Sequence, residues 1–217
     1  MSQQNILYVQ YWDIIREKEE EYSKFIIDEY NPVIRELGIN IVGGYYVEAG
    51  EGPQTIACFT FDDLSKVNSI VISDKFLEIT NRLTNFVKNR KAALAVSTGR
   101  ISDKSYSLQE NVWKWNFYYN VKPNKKSEYR EFIGKTKEVF SKIDFVELTE
   151  EWRVLYGGKA DYILELTFKD PYDIGRLMNT GEFREIEKIV KKEIINFAGS
   201  RILRVTERFE KPRWLKL

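Results

Sequence analysis

Histidine is absent from all 217 residues, and cysteine occurs once, as Cys58. The first absence excludes Ser-His-Asp and Cys-His nucleophilic machinery, zinc centres built on imidazole, and His-ligated haem. The second excludes an internal disulfide and a thiolate zinc site within one chain, and fits a reducing compartment. No apolar run is long enough to span a bilayer. The start, Met1-Ser2-Gln3-Gln4-Asn5, lacks the basic stretch and apolar segment of an export signal. An excess of one charge is missing too: 34 Lys and Arg face 33 Asp and Glu, a net of +1. Nothing electrostatic therefore favours nucleic acid or an anionic membrane as partner. The expectation is a soluble, cytoplasmic protein without nucleic-acid or membrane partner, metal or cofactor. Acid–base chemistry would fall to carboxylates, Lys, Tyr, Cys58 or a substrate itself.

What the chain does have is a repeat. Displaced by 107 positions it registers on itself without a gap, and from Ile6/Trp113 to Ala93/Ser200, 16 of 88 pairs are identical. Tyr22-Ser23-Lys24-Phe25-Ile26 falls on Tyr129-Arg130-Glu131-Phe132-Ile133. Phe61-Asp62-Asp63 falls on Phe168-Lys169-Asp170, and Phe76-Leu77-Glu78-Ile79 on Phe183-Arg184-Glu185-Ile186. Solenoid repeats have periods of about 20–50 residues, so this length reads as a duplicated domain. The expected division is a first unit over residues 1–101, a linker over 102–112, a second unit over 113–210 and a tail over 211–217.

Periodicity gives each unit the same order. Ile6 to Ile14 alternates as a strand, and Arg16 to Leu37 is amphipathic at helical spacing with Pro32 inside it as a kink. Strands follow at Ile41–Glu48 and Gln54–Phe61, joined by a Gly-rich turn. Asp62-Asp63 and Ser73-Asp74 are N-cap signals for two further helices, the second running to about Asn89, and Ala92–Ile101 is a fourth strand. The second half reads strand 113–121, helix 125–143, strands 146–156 and 160–168, a helix opened by Asp170-Pro171 and restarted at Thr180-Gly181. That helix ends near Phe197-Ala198-Gly199, before a strand over 201–209. Trp214 is expected to anchor the tail.

The result is an α+β chain of two tandem β-α-β-β-α-β units, the split βαβ of ferredoxin-like folds. An Asp-led short helix, a Ser/Thr restart and then Phe-x-Glu-Ile resembles the dimeric α/β-barrel superfamily. Antibiotic-biosynthesis-type monooxygenases, NIPSNAP-like proteins and muconolactone isomerases belong to it. The resemblance covers nearly all of residues 6–209. It implies two four-stranded sheets packed face to face with helices outside, here supplied by one chain. It carries no diagnostic catalytic motif and so speaks to fold more than activity. Haem is bound by some relatives; without histidine, only Tyr or Cys58 could ligate it here.

Alternation along strands separates a helix-facing side from a barrel-lining side. Taking the apolar side as helix-facing puts Trp113, Trp115, Phe117, Tyr119, Trp152, Val154, Tyr162, Leu164, Leu166, Phe168, Leu203 and Val205 under helices. Lys114, Asn116, Tyr118, Arg153, Glu165 and Arg204 then line the barrel, opposite a greasier set of Leu7, Val9, Tyr11, Tyr46, Cys58 and Val96. Buried charges need partners or a ligand. The candidate catalytic groups are therefore Arg204, Glu165 and Tyr118, with Lys114, Asn116, Arg153, Tyr11 and Tyr46 as binding residues. Arginine or lysine would hold an enolate or carboxylate, and Tyr118 or Glu165 would handle a proton. The same polar residues also fit the solvent face of a sheet or an ion-pair seam between sheets. Cys58 fits a small buried hydrophobe, and the 113–119 aromatics fit a core.

Three functions follow from this: metal-free oxygenation or isomerisation of a small aromatic or carbonyl compound, non-catalytic binding of such a molecule, or a filled barrel serving structure and oligomerisation. The quaternary expectation is a monomer with an internal pseudo-dimer, or a homodimer.

Overall fold

The computed structural model describes residues 5–102, 104–107, 109–189 and 194–206. Eight strands close into one barrel in the order β1-β3-β2-β8-β5-β7-β6-β4. They are β1 (Ile6–Ile14), β2 (Asn40–Gly50), β3 (Thr55–Phe61), β4 (Val87–Ser97), β5 (Trp113–Val121), β6 (Glu147–Tyr156), β7 (Tyr162–Phe168) and β8 (Ile195–Val205). All ladders are antiparallel, and the two halves of the chain join at the β2–β8 and β4–β6 ladders. Neither half closes alone. An eight-stranded barrel has an interior just wide enough for side chains or one small ligand.

The helices are α1 (Glu19–Phe25), α2 (Asn31–Glu36), α3 (Leu64–Val71), α4 (Asp74–Leu83), α5 (Lys126–Phe140), α6 (Tyr172–Met178) and α7 (Gly181–Ile189). The order β-α-β-β-α-β thus occurs twice. β1 and β5 start 107 positions apart, as do β3 and β7, and α4 and α7, matching the sequence offset. Pro32 does not break its helix. A π-helical turn at Ile26–Tyr30 carries the chain from α1 into α2, and Pro32 stands in the first turn of α2, where its missing N–H costs nothing. Asp63 caps α3 through the Ser65 N–H at 2.8 Å, and Ser73 caps α4 through the Phe76 N–H at 3.4 Å.

The boundaries differ in places. The first helix begins at Glu19 rather than Arg16, and α4 stops at Leu83 rather than near Asn89. β4 starts at Val87, before the expected Ala92. Phe197-Ala198-Gly199 is not a helix end but part of β8, whose ladder with β5 already runs from Ile195. Trp214 and the tail lie outside the described residues.

Two layers of apolar packing surround the barrel wall. Under α1–α4, Trp12, Tyr22, Phe25, Tyr30, Phe59, Phe76 and Leu83 form one cluster. Under α5–α7, Trp115, Leu166, Phe168, Leu177 and Phe183 form another, extended by Tyr119, Tyr129, Phe132 and Ile133. A third cluster fills the barrel interior: Leu7, Val9, Val42, Tyr45, Ile56, Cys58, Ala95, Tyr106, Trp152, Ile163, Leu203 and Val205.

That interior is itself apolar, which defeats the rule that an apolar strand face must lie under helices. Trp152, Val154, Leu203 and Val205 point inward, and Arg153 and Arg204 lie on the outer side. Bulges add to the reversal. The β6–β7 register slips between Leu148 and Glu150, so Leu148 packs under helices while Trp152 faces in. On β2 it slips between Ile41 and Gly43, turning Tyr45 inward and Tyr46 to the helix side. Val96 is also on the helix side, leaving Ala93 and Ala95 inside.

Candidate functional site

The interior divides into an open upper cavity and a closed lower chamber. The upper cavity, about 390 Å³, lies at the end flanked by the β2–β3 and β6–β7 turns. Its wall is built from Val9, Ala93, Ala95, Val154, Ile163 and the rings of Tyr11 and Tyr118. Small alanines on β4, at positions facing in, are what leave the space open. Glycines let the turns come close: a Cβ at Gly157 (φ +77°) would collide with the Ala92 carbonyl, and one at Gly52 (φ +107°) with the Arg201 guanidinium.

Arg201, on β8, is 91% buried as judged by its 9% exposure. Its Nε donates to the Glu51 carbonyl at 2.7 Å, and its guanidinium sits over two rings, 5.4 Å from that of Tyr11 and 5.0 Å from that of Tyr118. Burial raises the pKa of both phenols, and the Arg201 charge opposes the rise. Both are neutral donors at neutral pH. Lys91, Lys159 and Glu51 complete the charged lining; Lys159 and Glu51 stand 3.9 Å apart and are largely exposed.

The lower chamber shares Val9, Tyr11, Tyr118 and Ile163 with the cavity and holds only about 20 Å³ of free space. Here Lys114 and Glu165, 1% and 4% exposed, form a buried ion pair. Tyr106 completes it. Its hydroxyl donates to Glu165 Oε1 at 2.8 Å and accepts from Lys114 Nζ at 2.7 Å. The Lys114 ammonium also lies 4.9 Å from the Tyr106 ring and 5.6 Å from that of Tyr45. Asn116 Oδ1 and Trp152 Nε1 are buried without partners among the described residues. Cys58 lines this chamber, and burial, reinforced by the Glu165 charge, pushes its thiol up to about 12. It is a protonated, inert thiol at neutral pH. Below, Glu150 is 1% exposed, and burial pushes its carboxyl up to about 7.

The structure thus gathers five of the eight candidate residues, Tyr11, Lys114, Asn116, Tyr118 and Glu165, around one interior. It does not bring in the other three. Arg153 is exposed. Tyr46 is buried on the helix side, and Arg204 stacks 5.6 Å from its ring while donating to Glu48 Oε1 at 2.7 Å. Sequence reasoning missed Arg201, Tyr106 and Glu150. Arg201 is two positions from Leu203, so correct facing of β8 would have found it. An aromatic in the polar 102–112 connection was the signal for Tyr106.

The fold is that of the dimeric α/β barrels. A scan against protein-family models finds no match, and neither does a comparison with curated proteins. Solved structures do match. A putative monooxygenase from Fusobacterium nucleatum is 16% identical over 94% of both chains, with a TM-score of 0.63. A putative chlorite dismutase is 7% identical, covering 95% of this chain and 96% of its own, at 0.66. A heme-binding protein from Thermus thermophilus is 12% identical over 100% of this chain and 96% of its own, at 0.61. At these identities the likeness is one of fold.

Among the described residues, the donors at the barrel interior and at Tyr129 do not fit a haem. The chain has no histidine. Cys58 is walled inside the barrel as a thiol, Tyr11 and Tyr118 carry the Arg201 cation, and the Tyr129 hydroxyl bonds to Glu151. No helix among the described residues is long and apolar enough to cross a membrane.

Proposed function

We propose that the protein binds a small organic molecule in the upper cavity, with Tyr11, Tyr118 and Arg201 as its polar contacts. The observation that carries this is the buried Arg201 guanidinium, seated on two tyrosine rings at the wall of an apolar cavity of about 390 Å³. Ligand sites are of this kind: concave, mostly apolar, with a few convergent polar groups and a volume of about 300–1,000 Å³. The wholly filled barrel is disfavoured by that cavity, although the lower chamber is filled. Lys114, Glu165 and Asn116 support the site from below, and Arg204 and Arg153 have no part in it.

A second reading, conversion of the ligand by a metal-free monooxygenase- or isomerase-like reaction, draws on the Tyr118–Arg201 contact. A guanidinium and a neutral phenol side by side stabilise an oxyanion as it develops on a carbonyl. Among the described residues the cavity wall offers no desolvated carboxylate as base, so such a reaction suits a substrate acidic enough to form its own enolate. Binding is the reading the geometry supports better. Because both halves close one barrel, a single chain suffices for the cavity.

The test is native mass spectrometry of untagged protein before and after denaturation, followed by soaking with aromatic and carbonyl compounds. A retained small mass, or shifts of the Ala93, Ala95 and Val154 amides, supports the site. A protein that carries no ligand and whose cavity amides respond to none of these compounds refutes it.

A further inference from the structure

We infer that the ligand of the upper cavity is an anion: a small carboxylate with a planar apolar body, its carboxylate held by Arg201. This rests on the reading of that cavity as a ligand site. The charge inventory of the wall is the first ground. Three of its four charged residues, Lys91, Lys159 and Arg201, are cations, and only Glu51 is an acid. This occurs in a chain whose net charge is only +1, so the cations are concentrated at this mouth and not a reflection of composition.

Arg201 itself is the second ground. Among the described residues, every other deeply buried charge has a partner of opposite sign or is pushed toward neutrality. Lys114 pairs with Glu165, Glu151 with Arg100, and Glu150 is raised toward the neutral acid. Arg201 pairs with no carboxylate among the described residues; its Nε meets the Glu51 carbonyl and its guanidinium also bonds the Tyr118 side chain, neither of them a counter-charge. A guanidinium cannot shed its proton to escape burial, and neutral acceptors leave its charge without a counter-ion, so the site calls for an anion. The carboxylate of Glu51, whose carbonyl Arg201 bonds, is itself 93% exposed and stands 3.9 Å from Lys159. Arginine is the side chain whose planar fork matches a carboxylate in two parallel hydrogen bonds.

The third ground is shape. The guanidinium lies on the rings of Tyr11 and Tyr118, and the rest of the wall is Val9, Ala93, Ala95, Val154 and Ile163. A flat apolar body would pack on these walls with its carboxylate at the arginine. The lysines of the rim, both solvated, would raise the encounter rate more than the affinity.

The experiment uses the full chain and two matched probes, 2-naphthoate and its neutral analogue 2-naphthamide, titrated by amide chemical shifts and calorimetry. The expected result is that naphthoate shifts the Ala93, Ala95 and Val154 amides and binds about tenfold tighter than the amide, with affinity falling as salt rises. Arg201→Gln should erase the preference, and Arg201→Lys should keep part of it. Equal affinity for the two probes at the same amides overturns the anion inference while leaving the cavity a ligand site. No shift at the cavity amides with either probe overturns both. If Arg201→Gln does not fold, the wild-type comparison and Arg201→Lys still decide the matter.

Discussion

The Tyr106 hydroxyl donates to Oε1 of Glu165 at 2.8 Å, although Tyr106 belongs to the connection between β4 and β5 and Glu165 to the middle of β7. The connection is therefore more than a tether between two halves. Its aromatic side chain enters the interior, meets Trp152 edge-on at 5.0 Å, and supplies a bond that the buried pair would otherwise lack. Asn5 holds the same segment, donating from Nδ2 to the Lys104 carbonyl at 2.8 Å.

Removing only the hydroxyl should show this. Tyr106→Phe is expected to cost about 1–3 kcal/mol, since both Lys114 and Glu165 lose a partner in a buried site. Glu165→Ala leaves a buried ammonium and should cost about 3–5 kcal/mol, whereas Lys114→Met with Glu165→Met together should cost much less. Urea unfolding of the four proteins checks the order. A double variant as unstable as Glu165→Ala would show that the charges are not coupled.

Glu150 predicts a pH dependence. Its carboxyl is raised from 4.5 to about 7 in the folded state, chiefly by burial. The folded protein therefore holds a proton that the unfolded chain releases between these values. The stabilisation is complete below pH 4.5 and is lost as pH rises through about 7. The loss is on the order of 3 kcal/mol, from 1.36 kcal/mol per pKa unit. Melting temperature should fall between pH 5 and 8, and Glu150→Gln should flatten that fall. A wild-type melting temperature that is level or rising across that range would refute the assignment.

Arg204 and Arg201, three positions apart on one strand, separate the site from its surroundings. Arg204 lies outside the barrel against Tyr46 and Glu48. Arg204→Ala is expected to leave ligand binding unchanged and to cost about 1 kcal/mol through lost stacking and a part-exposed ion pair. Calorimetry with whichever ligand the wild type retains measures the first, and thermal melts the second. Weakened binding with an unchanged melting temperature would return Arg204 to the site.

This contrast also marks what could be read in the sequence. Element order and the 107-residue offset were legible because hydrophobic period and caps are local. So was the facing of β5 and β7, whose shared ladder runs without a slip and where Lys114, Asn116 and Tyr118 alternate with Trp115, Phe117 and Tyr119. On β2, β6 and β8 alternation points to the wrong face for two physical reasons. A bulge changes which side chains face in, and nothing in the residues at Val42 or Leu148 announces it. An interior lined by Leu203, Val205 and Trp152 looks the same, by hydropathy, as a face packed on helices. Tyr106 stood out only as an aromatic in a polar connection; its partner was out of reach, because the bond to Glu165 depends on a long-range approach.

The second buried acid network makes the last prediction. Glu151 is 0% exposed and faces away from the interior, on the helix side of β6. Its carboxylate accepts from the Tyr129 hydroxyl on α5, from the Tyr119 hydroxyl on β5 at 3.4 Å, from Thr98 Oγ1 at 2.5 Å and from Arg100 Nη1 at 2.9 Å. Thr98 and Arg100 follow β4, so one carboxylate ties α5, β6 and the chain leaving β4 across the ladder that joins the two halves. The Thr98 N–H also donates to the Glu151 carbonyl at 3.0 Å. Glu151→Ala should cost about 3–5 kcal/mol, because Arg100 loses its counter-ion and three hydroxyls their acceptor. Arg100→Ala should cost less, since that side chain is 28% exposed and water can replace it at the rim. Hydrogen exchange distinguishes a seam from a general loss of stability. In Glu151→Ala, the amides of Thr98 and of the β4–β6 ladder should lose protection well before those of β5 and β7, which are held by their own continuous register. Equal loss in all four strands would mean that Glu151 stabilises the barrel as a whole and that the β4–β6 junction is no weaker than the rest.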